Sequence, residues 1–211
     1  RNSRNEQSTR CSSLWNLVMP IEEIFTCLKR EINPSICCVA KPAENGVEVI
    51  LTEKVRRTDP NPPALNKLTL FGFDEVISIN QDLVRAYYPI LLPTKKAINK
   101  TCDGILLAAI KGKLYFLVTE MKSSLSNMDE HILKMQAGKN MVSYLKCILS
   151  EYLGIDTSSW NTYYCIFHIA DPKRETNESL LISCDPKYPM YFCVENNDRF
   201  SALKLINESL I

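Results

Sequence analysis

Two apolar runs separated by a short polar break mark the centre of the chain. They extend over residues 105–110 and 114–118, and a Lys-Gly-Lys sequence lies between them. Short apolar runs around a glycine-containing break predict a β-hairpin. Because both runs are nearly continuous rather than alternating, the two strands are predicted to be buried on both faces.

Helical patterns flank this hairpin on both sides. Apolar residues at helical spacing predict a helix over 21–32, which begins after Pro20, and a longer helix over 126–153, which ends at Gly154. The segment 65–88 is ambiguous and is expected to end in a helix before Pro89. Further strands are predicted at 35–40, 47–55, 162–169, 180–183 and 190–195, and a closing helix over 199–211. The pattern as a whole predicts an α/β fold with a mixed central sheet flanked by helices.

Composition is that of an ordinary globular chain. The 211 residues are 45% hydrophobic and 23% charged, with a formal net charge of +1. The predicted organisation is a flexible polar tail over 1–13, a helix and hairpin region over 14–93 and a core over 94–211. No apolar run approaches the roughly 20 residues needed to span a bilayer, so no membrane partner is expected. Nine cysteines without framework spacing predict reduced thiols and a cytoplasmic protein.

Three charged side chains lie at one end of the predicted hairpin. Asp103 precedes the first strand, and Glu120 and Lys122 lie two residues apart on the second, hence on one face of it. Because the strands run in opposite directions, the two carboxylates are expected to converge at one edge of the sheet. Carboxylates suit Mg²⁺, which polarises a phosphoryl oxygen, and a nearby lysine can orient or deprotonate a water.

The order Asp103, then Glu120-x-Lys122, resembles the motif of the PD-(D/E)XK nuclease superfamily over about residues 99–169, although Cys102 replaces the proline. The resemblance implies a restriction-endonuclease-like core, with Asp103 and Glu120 as ligands of Mg²⁺ or Mn²⁺ and Lys122 as a catalytic residue. It also implies a role for Gln136 on the following helix, although Asn140 stands where one subgroup has tyrosine. An upstream acid often joins such sites, and the sequence leaves four candidates open: Glu22, Glu23, Glu75 and Asp82.

The resulting expectation is a nuclease that hydrolyses phosphodiester bonds in DNA, as an effector in a restriction or antiviral defence assembly. RNA remains open as a substrate. One alternative is a catalytically inactive nuclease-fold subunit that binds a partner protein or nucleic acid, and another is an effector released by a partner. The small net charge favours the alternatives slightly. Since no Gly-rich phosphate loop is present, a partner protein is expected to supply ATPase, helicase or regulatory function.

Overall fold

The structure is a computed structural model that describes residues 19–38, 40–52, 63–81, 83, 100–125, 127–169 and 183–206. The predicted tail, the helix end before Pro89 and most of the predicted strand at 180–183 lie outside the described residues. The described helices are α1 (Ile21–Glu31), α2 (Met128–Leu153) and α3 (Ala202–Leu205), with a short 3₁₀ turn at Pro34–Ile36. The strands are β1 (Cys37–Cys38), β2 (Ala40–Ala43), β3 (Gly46–Thr52), β4 (Lys67–Phe73), β5 (Glu75–Ile79), β6 (Gly104–Ile110), β7 (Lys113–Lys122), β8 (Asn161–His168), β9 (Met190–Cys193) and β10 (Arg199–Ser201).

The strands form two mixed sheets, which confirms the predicted α/β class with a mixed sheet. The larger sheet has six strands in the order β1-β5-β6-β7-β8-β9, and the smaller has four in the order β10-β4-β3-β2. In the larger sheet β6 and β7 are antiparallel, as the hairpin pattern predicted, whereas β7, β8 and β9 are parallel. The connection from β7 to β8 is the long helix α2, as parallel neighbours require.

The larger sheet is covered on one face by helices and on the other by the smaller sheet. Alternate residues of β6 and β7, such as Leu107 and Val118, pack with side chains of α1 and α2. The intervening residues, such as Leu106 and Leu117, pack with side chains of β3 and β4. Both faces are therefore buried, which explains why these two strands are apolar without alternation.

The long helix lies very close to the hairpin. Asn127 caps its start by accepting a hydrogen bond from the backbone N–H of Glu130 at 3.3 Å, and Gly154 ends it in the left-handed region at φ 64°. Near its middle, Gly138 faces β7 so closely that a Cβ atom at this position would overlap Cγ1 of Val118. The absence of a side chain at Gly138 thus brings α2 down onto the strand that carries Glu120.

The structure assigns one region that the sequence left ambiguous and corrects another. The ambiguous segment 65–88 forms β4 and β5 through most of its described part, and the closing helix predicted over 199–211 begins as β10 followed by the four-residue α3. In both cases strand pairing decides the conformation: β4 pairs with β3 and β10, and β5 pairs with β1 and β6. These partners lie elsewhere in the chain, so the local pattern of hydrophobic residues cannot indicate the pairing. Tyr152, predicted in the apolar stripe of α2, is 81% exposed.

Candidate active site

The register of the hairpin brings Asp103 next to Glu120. Gly104 at the start of β6 pairs with Thr119, so the residue before it lies beside Glu120. The backbone N–H of Asp103 donates a hydrogen bond to Oε2 of Glu120 at 3.1 Å. In return, the backbone N–H of Met121 donates to Oδ2 of Asp103 at 2.6 Å. These two bonds hold both carboxyl groups at one edge of the sheet.

The site lies on the face of the sheet that α2 covers. Glu120 and Lys122 share the face of β7 with Val118, since side chains alternate along a strand. Asp103 lies just before β6, where the charge of Lys134 on α2 acts on it. The Glu120 side chain is 0% exposed. A carboxylate buried to this degree requires partners that satisfy its charge.

Two lysines supply those partners. The Nζ atoms of Lys122 and Lys134 each lie 2.5 Å from Oε1 of Glu120. Lys122 comes from the same strand, whereas Lys134 reaches down from the second turn of α2. Their side chains are 20% and 17% exposed, so they separate the buried acid from solvent. Asp103, Glu120, Lys122 and Lys134 together form a compact group, which we call the acid–lysine cluster.

Burial and mutual repulsion alter the acid–base chemistry of the cluster. Burial, reinforced by the neighbouring Glu120 charge, raises the pKa of Asp103 from 3.8 to about 7. For Lys134, burial acts to lower the pKa, but the attraction and hydrogen bond of Glu120 outweigh it, so the pKa is raised. Lys134 therefore stays protonated at neutral pH, while Asp103 is close to half ionised.

The raised pKa of Asp103 makes the stability of the metal-free protein depend on pH. Because the folded protein binds this proton more tightly than the unfolded chain, the stabilisation is complete below about pH 4 and is lost as the pH rises to about 7. A shift of this size corresponds to about 4 kcal/mol of unfolding free energy at most. We expect the unfolding free energy of Asp103→Asn not to fall in this way between about pH 4 and about pH 7. Urea unfolding in EDTA across this pH range measures it.

The control for this measurement is the difference between the wild type and Asp103→Asn at each pH. Burial lowers the pKa of His131 from 6.5, and this shift has the opposite effect, since it adds stability as the pH rises. Subtracting the two curves cancels that contribution. Parallel curves for the two proteins would contradict the assigned environment of Asp103.

Gln136, which the resemblance placed in the site, does not join the cluster. It lies five residues after His131, which is about 140° around the helix. The buried stripe of α2 contains His131, Met135, Gly138, Val142 and Leu149 and faces the sheet. Gln136 is therefore turned away from the acids, and the side chain that α2 contributes is Lys134, about 60° from the centre of the stripe.

Of the described upstream acids, Glu75 lies far from the cluster, and Glu22 and Glu23 are exposed rather than buried with it. Glu75 pairs with Ala109, six residues along β6 from Asp103, which is about 20 Å. It forms an ion pair with Lys29 at 2.7 Å. Glu22 and Glu23 are exposed in the first turn of α1, and the side chain of Asp82 lies outside the described residues.

The upstream residue that supports the site is an amide. Gln81, after the end of β5, is buried and accepts a hydrogen bond from the backbone N–H of Cys102 at 2.8 Å through Oε1. Its Nε2 donates to the carbonyl of Ala137 on α2 at 3.5 Å. Gln81 thus links the residue before Asp103 to the helix that carries Lys134. Burial and the nearby Glu120 raise the pKa of the Cys102 thiol well above the usual range, which disfavours the nucleophilic thiolate.

Lys134 and Gln81 were missed in the sequence because neither belongs to a spaced motif. The only signal for Lys134 was its place at the edge of the apolar stripe of α2, where a charged residue is usually solvated.

Among the described residues, no three His, Cys, Asp or Glu side chains lie close enough to hold a metal ion together. No described helix is long and apolar enough to cross a membrane.

Comparison with other proteins adds no family to this description. No protein-family model, curated protein or solved structure matches the chain. The function is therefore argued from the acid–lysine cluster itself.

Proposed function

We propose that this chain is a metal-dependent nuclease that hydrolyses phosphodiester bonds in DNA. The observation that carries the proposal is the fully buried Glu120, held beside a second carboxyl group and two ammonium groups. Replacing a buried ion group with apolar residues often leaves a fold as stable or more stable. The raised pKa of the neighbouring Asp103 also makes the cluster a candidate for function rather than for stability alone.

The carboxyl groups suit a hard divalent ion such as Mg²⁺ or Mn²⁺. Asp103 and Glu120 provide the oxygen ligands that these ions prefer, and Mg²⁺ usually takes its remaining ligands from waters and substrate phosphates. A pair of acids is then a sufficient contribution from the protein. The ion would polarise a phosphoryl oxygen and lower the pKa of a water.

The two lysines would then serve the substrate. With both acids ionised, the cluster holds two negative and two positive charges, so its net charge is zero. A divalent ion held by the carboxylates would weaken the attraction that holds Lys122 and Lys134 on Glu120. Their ammonium groups would then be available to contact phosphate oxygens and to stabilise negative charge that develops there. As an ammonium, Lys122 would also orient the attacking water by donating a hydrogen bond to it.

The resemblance to the PD-(D/E)XK superfamily supports the same proposal. It rests on Asp103, Glu120 and Lys122 in that order, and a mixed sheet flanked by helices is compatible with it. In this proposal Lys134, rather than Gln136, is the residue that the long helix contributes to the site. RNA remains a candidate substrate, because no feature of the cluster reads the sugar.

A second function is favoured by one specific observation. Both oxygens of Glu120 already have protein donors, namely the Asp103 N–H and the two lysines. Such a self-satisfied cluster is also what a catalytically inactive nuclease-fold subunit would retain to bind a partner protein or nucleic acid. The net charge of +1 is consistent with either function acting within a larger assembly.

Partners and compartment form the remaining part of the proposal. A partner protein would supply ATPase, helicase or regulatory function, as expected for an effector of restriction or antiviral defence. The eight cysteines that the structure describes are free thiols, which is consistent with a reducing cytoplasm.

The direct test is cleavage of plasmid DNA, single-stranded DNA and RNA with Mg²⁺ or Mn²⁺, with EDTA as the control. We expect cleavage that requires the ion, and calorimetric ion binding that Asp103→Asn weakens. Activity that persists in EDTA would contradict the metal-dependent reaction. Nucleic-acid binding without cleavage in any of these conditions would favour the inactive subunit.

A further inference from the structure

Lys100 and Glu130 form an ion pair next to the acid–lysine cluster. The Nζ atom of Lys100 lies 2.6 Å from Oε1 of Glu130. Their side chains are 31% and 36% exposed, whereas the side chain of Glu120 is fully buried. A large ligand that cannot enter the protein interior can therefore still reach this pair.

The helix and the chain before β6 each place this ion pair at the rim of the cluster. Glu130 precedes Lys134 by four residues on α2, so the two side chains lie on one face of the helix, about 6 Å apart along its axis. Lys100 precedes Asp103 by three residues, which limits their Cα separation to about 11 Å. Since Lys134 and Asp103 both belong to the cluster, the ion pair is connected to it on two sides.

The surroundings of Glu130 allow Lys100 to be released. The carboxylate has a second partner, because Nδ2 of Asn127 donates a hydrogen bond to its Oε2 at 3.1 Å. It also lies in the first turn of α2, where the helix dipole favours a negative charge. Exposed ion pairs contribute little to stability. Lys100 can therefore leave Glu130 at a small cost, while the carboxylate keeps a hydrogen-bond donor.

A flexible ammonium group at this position suits a second phosphate of a nucleic acid chain. Nucleotides rise about 3.4 Å each along a strand of duplex DNA, so phosphates one or two nucleotides from a phosphate at the cluster fall within reach of Lys100. A hydrogen bond from an ammonium group to a phosphate oxygen is of the strong, charge-assisted kind. Such a bond would replace the one that Lys100 makes to Glu130.

We propose that Lys100 binds a backbone phosphate next to the one at the acid–lysine cluster, and that Glu130 holds Lys100 in place until the nucleic acid binds. This inference rests on the proposed function, since it extends the same site along the substrate. It makes the substrate a polynucleotide chain rather than a small phosphodiester, because one ligand must provide both phosphates.

Binding measured at several salt concentrations tests the contact without requiring turnover. Fluorescent duplex DNA is titrated with the protein in Ca²⁺ in place of Mg²⁺, because Ca²⁺ takes the same carboxylate oxygens. We expect Lys100→Met to weaken binding about fivefold, the effect of a charged hydrogen bond less the ion pair given up for it. The slope of log affinity against log salt should fall by about 0.9, the value for one lost phosphate contact.

Glu130→Gln should have the opposite effect. Glutamine keeps the side-chain oxygen that accepts from Asn127 but lacks the charge that holds Lys100. We therefore expect binding to become about twofold to fivefold tighter. This gain should disappear when Lys100→Met is added, because it acts through the released lysine. A gain of the same size in the double variant would contradict the role of Glu130 in holding Lys100.

The ion pair of Lys29 and Glu75 provides the matched control. It has nearly the same length, 2.7 Å, and is also partly exposed, but Glu75 lies at the far end of the sheet. Lys29→Met should leave both the affinity and the salt slope unchanged. If Lys100→Met had the affinity and salt slope of the wild type, or if Lys29→Met lost as much affinity, the phosphate contact would be refuted.

Cleavage measured on the same variants separates this inference from the proposed function. Wild-type cleavage together with an unchanged affinity and salt slope for Lys100→Met refutes only the phosphate contact. Lys100-dependent binding without wild-type cleavage supports the contact and refutes the nuclease reaction. An absence of both binding and cleavage in the wild type refutes both.

Discussion

Glu120→Gln is expected to abolish cleavage, with a loss of at least about a thousandfold, and to destabilise the protein. The amide lacks the charge that holds a divalent ion, and no other described side chain in the hairpin lies where Glu120 does. The two lysines also lose their shared partner inside the fold. Breaking a buried ion group on one side typically costs about 3 kcal/mol or more. The measurements are metal-dependent cleavage and urea unfolding.

Glu75→Gln is the matched control for this change. Glu75 lies on the same sheet and also pairs with a lysine, Lys29, but at the far end of the sheet and partly exposed. We expect it to leave cleavage unchanged and to cost less than about 1 kcal/mol, as is usual for surface ion pairs. A Glu120→Gln protein as active as the wild type would remove the nuclease proposal. If Glu120→Gln and Glu75→Gln had the same free energy of unfolding, the assigned role of the lysines would be contradicted.

Lys122→Met and Lys134→Met are each expected to lower the cleavage rate by about 10²-fold or more, the usual contribution of a positioned acid–base or charge-stabilising group. At the same time each change should tighten ion binding, because each lysine competes with the ion for Oε1 of Glu120. Steady-state kinetics and calorimetric titration with Mn²⁺ measure the two effects separately. A purely structural lysine would not move activity and ion affinity in opposite directions.

The double variant and a surface control complete this test. Since both lysines donate to one oxygen, their effects on ion affinity should be non-additive. Lys139→Met, an exposed position on the same helix, should change neither quantity. If Lys134→Met retained wild-type activity while Lys122→Met did not, Lys134 would be a structural counterion of Glu120 only.

Local chemistry made much of the fold predictable. Pro20 and Asn33-Pro34 bound the first helix, Gly154 ends the long one, and the lysine–glycine break at 111–113 separates two apolar strands. Each of these signals acts within a few residues, because it sets backbone angles or satisfies hydrogen bonds locally. The same locality explains why the segment 65–88 stayed ambiguous and why 199–201 was predicted as helix, since β4, β5 and β10 depend on pairing with other strands.

The hairpin shows which features of the site could be predicted from the sequence and which could not. The spacing of Asp103, Glu120 and Lys122 determined that they meet at one edge of a sheet, because strand register follows from a tight turn. It did not determine which face they occupy, since apolar residues fill both faces of β6 and β7. Only the packing of α2 against one face, and of the smaller sheet against the other, decided that.

The sequence by itself thus determined the α/β class, the hairpin and the convergence of two acids and a lysine. The tertiary structure decided that Lys134, fourteen residues from Glu120, completes the cluster and that Gln136 turns away from it. It also placed Gln81 between the residue before Asp103 and α2. The physical reason is that these contacts depend on the height and rotation of α2 over the sheet. Side-chain packing sets both, notably the close approach at Gly138, and no short sequence pattern encodes them.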